Sequence, residues 1–199
     1  MEIRKSPPEL DNIVDKYIYD KADELAPFFK KLNFTPNCLT TISFSFGILA
    51  IYFYIKQKYV YSAILYLLSY VFDCFDGHFA RKYDMVTKFG DFYDHATDIL
   101  IAVILLWLIV KKYKKFNDWR SYIPFGFIVP LLTTFMYLGC QEKYYGKNES
   151  DTLNITRKFC PYDDKNKLFK FMRYIRHFGP SLAIFYIIFL ILYSGYVDK

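Results

Sequence analysis

Cysteine is scarce in this sequence and widely spaced: Cys38, Cys74, Cys140 and Cys160 are the four present, and no two form a CxxC pair. That pattern excludes a zinc ribbon, a thioredoxin-type motif and a small disulfide scaffold, and the expectation is four ordinary reduced thiols. Glycine and proline number only eight each in 199 residues, which rules out collagen-like and low-complexity chains. A short apolar leader is also lacking, because Met1 to Pro8 carries charges and two prolines instead. The length suits one domain and is too small for two well-cored ones.

What is abundant is aromatic and apolar. Aromatics make up 22% of the chain and hydrophobic residues 54%. The mean hydropathy of only +0.09 conceals this, since 20 Tyr and the charged residues dilute long apolar blocks. A net charge of +6 is compatible with nucleic acid or an anionic membrane surface, and the apolar blocks decide for the membrane. Five blocks approach spanning length, near Leu39 to Ile55, Val60 to Phe72, Ile99 to Val110, Tyr122 to Cys140 and Phe178 to Val197. The second and third reach across a bilayer only by taking in acidic stretches, Asp73 to Ala80 and Gly90 to Asp98. An acid at mid-membrane costs about 2.5 to 3.5 kcal/mol on insertion scales, so these acids are expected to be functional.

The expected fold is therefore all-α: a polytopic membrane bundle of about five to six transmembrane helices, preceded by an N-terminal amphipathic interfacial helix. Residues 1–36 form the juxtamembrane segment and 37–199 one membrane-embedded unit with a polar loop at 141–177. In the first segment Leu10, Ile13, Val14, Tyr17, Ile18, Leu25, Phe28 and Phe29 recur at helical spacing, which fits either a helix lying in the interface or one packed on the protein itself. Thr35-Pro36-Asn37 supplies an N-cap and a first-turn proline at the entry to the first span. With the N-terminus inside, the inside segments hold 18 of the 26 Lys and Arg residues and the outside loops seven, which sets the orientation despite the Lys111 to Lys115 cluster outside. Three glycosylation sequons, at Asn33, Asn148 and Asn154, then fall on the inner side and read as chance matches. Near the end of the polar loop, Leu168, Phe169, Phe171, Met172, Ile175 and Phe178 alternate with Lys167, Lys170, Arg173 and Arg176. A basic interfacial helix is expected there, with anionic phospholipid or a nucleotide phosphate as partner.

The chemistry is concentrated between Asp73 and Asp98. At helical periodicity Asp73, Asp76, Gly77 and Ala80 share one stripe, and Gly90, Asp94 and Asp98 share another. The short loop between the two helices makes them antiparallel neighbours, so four carboxylates converge in one pocket near the inner interface. Four such anions repel one another unless cations neutralise them. Oxygen donors without cysteine favour Mg²⁺ or Mn²⁺, and carboxylate clusters that handle phosphoryl oxygens bind two such ions. Small residues at Gly77, Ala80 and Gly90 leave room for a flat ligand, and Arg81 is set to meet a phosphate. Asp91 lies off the stripe and is expected to cap its helix, while His78 and His95 are expected at the pocket rim or an interface rather than as ligands.

Written out, the pattern is D-x2-D-G-x2-A-R-x8-G-x3-D-x3-D, and it resembles the signature of the CDP-alcohol phosphotransferase family of membrane enzymes. The resemblance implies that Asp73, Asp76, Asp94 and Asp98 hold two divalent metals, with Asp98 also the catalytic base. It implies that Asp73, Gly77, Ala80, Arg81 and Gly90 form the CDP site, that the protein is a homodimer, and that nucleic acid is not a partner. Family members usually have six spans, whereas five stand out here. Asp73 to Arg81 is similar to phosphatidylinositol synthases, which implies CDP-diacylglycerol as donor and a small acceptor such as inositol, glycerol 3-phosphate or serine. Tyr93-Asp94-His95 instead resembles choline and ethanolamine phosphotransferases, which use diacylglycerol as acceptor. The basic loop helix would suit a phosphorylated acceptor if it folds over the site. Three readings fit less well: intramembrane prenyltransferases, whose DxxxD or DDxxD pairs on separated helices are not found besides this motif; a small ion transporter, which leaves Gly77, Ala80, Arg81 and Gly90 unexplained; and a non-catalytic scaffold, since no catalytic position is lost. The protein is expected to be a multi-pass integral membrane protein with its site facing the cytosol, in the endoplasmic reticulum if the host is eukaryotic.

Overall fold

The computed structural model describes residues 9–145 and 153–197, and these are all-α, with no strand among them. Seven α-helices follow in order: α1 (Ile13–Lys31), α2 (Pro36–Ile55), α3 (Tyr59–Lys82), α4 (Lys88–Tyr113), α5 (Ile128–Tyr145), α6 (Lys165–Ile175) and α7 (Pro180–Val197). Short 3-10 segments at Trp119–Phe127, Leu153–Phe159 and Arg176–Phe178 join the later ones. Side-chain caps fix several starts. Asn12 accepts from the Val14 and Asp15 amides to open α1, and Thr35 accepts from the Cys38 amide to open α2 with Pro36 in the first turn. The Thr87 hydroxyl, and not Asp91, caps α4 by accepting from the Gly90 amide. Asp91 lies in the first turn instead, where its charge suits the helix dipole.

Four stretches are long and apolar enough to cross a membrane: Pro36–Ile55, Lys88–Tyr113, Trp119–Tyr144 and Lys165–Val197. Only 22% to 33% of each is buried inside the bundle, so most of their apolar surface needs an apolar surrounding. Helix α3 has 24 residues, about 36 Å of rise, but is less apolar, with tyrosines and serines along it and acids and bases from Asp73 onward. Both acid-bearing helices thus continue past the apolar windows read from the sequence, as their extension through the acidic stretches requires.

Helices α2 and α3 run antiparallel and are laced by small hydroxyls: Ser43 Oγ donates to the Ser69 carbonyl at 2.8 Å, Ser69 Oγ donates to the Ser43 carbonyl at 2.9 Å, and Ser62 Oγ to the Ala50 carbonyl at 2.8 Å. Away from the acids, Tyr54, Tyr59, Tyr66, Leu105, Ile109, Tyr113, Leu190 and Ile191 form the main core shared by α2, α3, α4 and α7. Helix α1 resolves the two readings of its apolar residues by dividing them. Ile18, Ala22 and Ala26 are buried, while Val14, Tyr17, Leu25 and Phe28 are exposed on the outer side.

The contact of α1 with α3 is polar and in register. The Tyr70 hydroxyl donates to Asp15, Tyr19 stacks on His78 at 5.8 Å, and Asp23 receives Lys82 Nζ at 2.6 Å with His78 Nε2 at 3.1 Å. Asn12 Nδ2 donates to Ser181 Oγ at the start of α7, and Tyr137 of α5 donates to the Leu10 carbonyl. These ties bring α1, the end of α5, the start of α7 and the acidic end of α3 to one end of the bundle. Burial raises the Asp15 pKa from its ordinary value, and the hydrogen bonds from Tyr70 and Asn12 oppose that shift. The hydrogen bond from Lys82, with that of His78, holds Asp23 below its ordinary value.

The expectation of four reduced thiols is overturned. Cys140 at the end of α5 and Cys160 after the second 3-10 segment form a disulfide across a separation of 20 residues, leaving Cys38 and Cys74 free. The 3-10 segment Leu153–Phe159 packs on α5, which brings together two cysteines too far apart to form a recognisable motif. Of the other expectations, Met1 to Pro8 and the Asn148 sequon lie outside the described residues, whereas Asn33 ends α1 with φ 58°.

Two predictions follow from these contacts. Denatured without reductant, the protein will titrate two thiols and, after reduction, four; the Cys140→Ser, Cys160→Ser variant will lose up to about 3 kcal/mol of stability, as expected for a loop of this size. Because folding lowers the Asp23 pKa, its stabilising contribution is present above the usual carboxylate range and is lost as pH falls through the folded value. The gap in thermal midpoint between wild type and Asp23→Asn, present at neutral pH, will therefore close only as pH falls below the usual carboxylate range.

Candidate functional site

Asp73 and Asp76 on α3 and Asp94 on α4 each offer a carboxylate oxygen, and these three atoms all lie within 4.8 Å of one another. Among the described residues they are the group of acids, histidines and cysteines close enough to share a cation. Asp98, one turn further along α4, is near enough to Asp73 for the two carboxyl groups to interact electrostatically. The short loop predicts α3 and α4 as packed neighbours, but the two helices run antiparallel without packing closely on each other; each packs on α2, through contacts such as Ser43–Ser69 and Thr41–Tyr93, and α2 brings their acids together. The loop turns at Asp84, with φ 54°, and the Met85 amide donates to the Ala80 carbonyl at 2.8 Å.

Two buried polar atoms here have no hydrogen-bond partner, Asp94 Oδ1 and Arg81 Nε. An unpartnered carboxylate oxygen is what a cation satisfies, and an unpartnered guanidinium N–H is what an anionic oxygen satisfies. The donor set is oxygen only, which fits a hard divalent cation such as Mg²⁺ or Mn²⁺. Arg81 folds back along its own helix. A Cβ on Gly77 would sit 3.4 Å from Arg81 Nη1, so the bare glycine leaves the guanidinium room beside the backbone. Gly90 faces α2, where a Cβ would fall 3.1 Å from Asn37 Oδ1 and 3.0 Å from Thr87 Oγ1. Ala80 is partly exposed next to them.

One contributor was not read from the sequence. Thr40 of α2 is 3% exposed and donates its hydroxyl to Asp76 Oδ2, fixing a carboxylate that is itself only 3% exposed. The available signal was its position one turn beyond Thr35-Pro36-Asn37, but threonines in apolar helices commonly bond their own i−4 carbonyl, and Thr40 also lies 3.2 Å from the Pro36 carbonyl. The two histidines stay off the acids. His78 faces α1, and His95 Nδ1 lies 2.7 Å from the Asp91 carbonyl. His95 lines an open apolar groove of about 470 Å³ with Phe92, Ala96, Ile99, Leu100 and Val103 on the outer face of α4.

Fold and site together define a helical membrane protein with a carboxylate centre built across two helices that both pack on α2. The chain belongs to the CDP-alcohol phosphatidyltransferase family, whose sequence model matches residues 33–144. It is similar to a CDP-diacylglycerol–glycerol-3-phosphate 3-phosphatidyltransferase of Wigglesworthia glossinidia brevipalpis, 39% identical over 84 residues, 41% of this chain and 46% of that one. The corresponding Rickettsia felis protein is 34% identical over 80 residues, 39% of this chain and 44% of its own length. An archaetidylinositol phosphate synthase of Pyrococcus horikoshii is 36% identical over 75 residues, 38% of this chain and 40% of its own. The chain thus spans under half the length of these relatives. No solved structure matches it.

Thr40 yields a direct test of the site. Thr40→Val, which keeps the shape and removes the donor, will weaken Mn²⁺ binding measured by electron paramagnetic resonance roughly tenfold, the worth of one hydrogen bond to a charged group at about 1.5 kcal/mol. Thr40→Ser will restore most of it.

Proposed function

We propose that this protein is a phosphatidyltransferase of phospholipid synthesis, moving the phosphatidyl group of CDP-diacylglycerol to a small alcohol with release of CMP. The observation that carries this reading is the convergence of Asp73, Asp76 and Asp94 within 4.8 Å, with Asp98 beside them. These four would hold two divalent cations, Mg²⁺ or Mn²⁺, which when bound neutralise charge on the diphosphate and on departing CMP. Arg81 binds a phosphate oxygen through its unpartnered guanidinium face. Gly77, Ala80 and Gly90 let the CDP moiety lie close to the helix backbones, with Asp73 on the same surface. The acceptor hydroxyl oxygen attacks the phosphorus that carries the diacylglycerol group, the bond from that phosphorus to the CMP oxygen breaks, and CMP leaves with the electron pair. Asp98 takes the hydroxyl proton.

The names of the Wigglesworthia and Rickettsia relatives support CDP-diacylglycerol as donor and put glycerol 3-phosphate ahead of inositol and serine among acceptors. The Pyrococcus relative's name keeps a phosphorylated polyol in view. A CDP-choline or CDP-ethanolamine:diacylglycerol phosphotransferase is the second reading, favoured by Tyr93-Asp94-His95 alone. In our reading five helices span the membrane, α2, α3, α4, α5 with its 3-10 lead-in, and α7, and residues 1–36 form a juxtamembrane segment before a single unit at 37–199. The Lys and Arg bias supports a site facing the cytosol, in the endoplasmic reticulum if the host is eukaryotic, and the family resemblance supports a homodimer.

The test is CMP release by purified protein in lipid–detergent micelles with Mg²⁺ or Mn²⁺, supplying CDP-diacylglycerol with glycerol 3-phosphate, inositol, serine or no acceptor. Acceptor-dependent release is expected, and Asp98→Asn, still folded by circular dichroism, will lower kcat by about 10² to 10⁴. Release only from CDP-choline or CDP-ethanolamine with diacylglycerol would reverse the donor.

A further inference from the structure

The segment from Leu153 to Phe178 is clamped to α5 on one side and open on the other. Gly139 lies so close to the 3-10 segment Leu153–Phe159 that a Cβ there would come 2.2 Å from the Thr156 carbonyl oxygen. The Cys140–Cys160 disulfide fastens the same contact. Lys143 Nζ donates to the carbonyls of Cys160 and Tyr162, at 3.1 and 3.2 Å, and to the Asp163 carboxylate at 2.7 Å. Leu168 and Met172 of α6 are buried in a cluster with Leu10, Tyr137 and the two disulfide cysteines. The inner face of α6 is therefore fixed.

Its outer face is basic. Lys158, Lys165, Lys167, Lys170 and Arg173 are exposed, as are the aromatic side chains of Tyr174, at 81%, and Phe178, at 53%. The only acids from Leu153 to Phe178 are Asp163, engaged by Lys143, and Asp164, whose side chain caps α6 by accepting from the Lys167 amide. With Lys158, Lys165, Lys167, Lys170 and Arg173 exposed against these two acids, the segment keeps a net positive charge. Helix α6 leads through Arg176–Phe178 and Gly179 directly into α7, so it lies where α7 enters the apolar layer.

We propose that this disulfide-clasped face is a docking surface for anionic phospholipid headgroups in the leaflet beside the acidic site. Three observations favour lipid over a soluble phosphate. The positive charges are spread along an exposed helix face, whereas a single phosphate would need them to converge in a pocket. The exposed aromatics between them suit the headgroup level of a bilayer. The adjoining span fixes the face at that level, where anionic lipids concentrate basic segments. The inference does not depend on the proposed transferase activity.

The test uses the whole protein, wild type and Lys167→Gln/Lys170→Gln/Arg173→Gln, reconstituted in nanodiscs of phosphatidylcholine with about one phosphatidylglycerol in five lipids. After exchange into neutral detergent, retained lipid is identified by mass spectrometry. Wild type is expected to retain phosphatidylglycerol several-fold above its share of the mixture, the variant at least threefold less, and millimolar inorganic phosphate to leave the wild-type value unchanged. Thermal melting of both proteins in neutral detergent checks that the variant is folded. Equal retention by the two folded proteins would overturn the proposal. So would loss of the enrichment to inorganic phosphate, which would reassign the surface to a soluble anion.

Discussion

The candidate site depends on holding carboxyl groups of α3 and α4 together across α2, on which both helices pack. Left to themselves Asp73, Asp76, Asp94 and Asp98 repel, and burial beside an apolar layer makes that repulsion dearer than it would be in water. Much of the surrounding structure counters it. Thr40 donates to Asp76, the α3–α4 turn fixes the relative height of the two helices, and Asp94 keeps one oxygen without any protein partner. One carboxylate oxygen fixed by a hydroxyl and another left open is an arrangement that a cation would complete, as the proposed function requires.

The second constraint is that α3 must carry these acids beyond the apolar layer without fraying. Helix α1 answers it by running alongside, with Asp15 opposite Tyr70 and Asp23 opposite His78, a constant offset of 55 residues. A constant offset means parallel helices in register, so α1 grips α3 along the whole stretch from Tyr70 to Lys82 that contains Asp73 and Asp76. His78 is central to that grip. It occupies the face of α3 opposite the acid stripe, which explains why a histidine inside the acidic motif takes no part in the acidic cluster. The apolar residues that α1 leaves exposed, Val14, Tyr17, Leu25 and Phe28, then sit on its outer side, away from α3.

The site was legible in the sequence because its spacing is helical. Acids three and four residues apart on two segments joined by a short loop can only converge if both segments are helices, and convergence is what the geometry delivers. The helix ends were less legible, since hydropathy falls where acids begin and backbone hydrogen bonding does not; α3 and α4 therefore continue past their apolar windows. Thr40 was hidden by its ordinary role in helices, and the polar seam of α1 by the ambiguity of an amphipathic pattern that serves a protein surface and a membrane surface equally. The Cys140–Cys160 bond was beyond reach: 20 residues separate the pair, and only the close approach at Gly139, a tertiary contact, brings the segments together.

That bond also bears on orientation. The orientation we propose from the charge bias would put the acidic end in the cytosol, where thiols are kept reduced, yet the disulfide lies at this same end. Burial reconciles the two. Cys140 is 0% and Cys160 5% exposed, packed against Tyr137, Leu168 and Met172, and thiol–disulfide exchange needs an attacking thiolate to reach a sulfur in line. Reduction must then wait for the α5 contact to open, so the bond's lifetime in a reducing compartment is set by the stability of the packing around it. The same packing holds α6 against α5 and, through Tyr137 and Leu10, meets the segment that leads into α1. The disulfide clasp and the carboxylate centre are therefore parts of one connected end of the bundle, joined through α1.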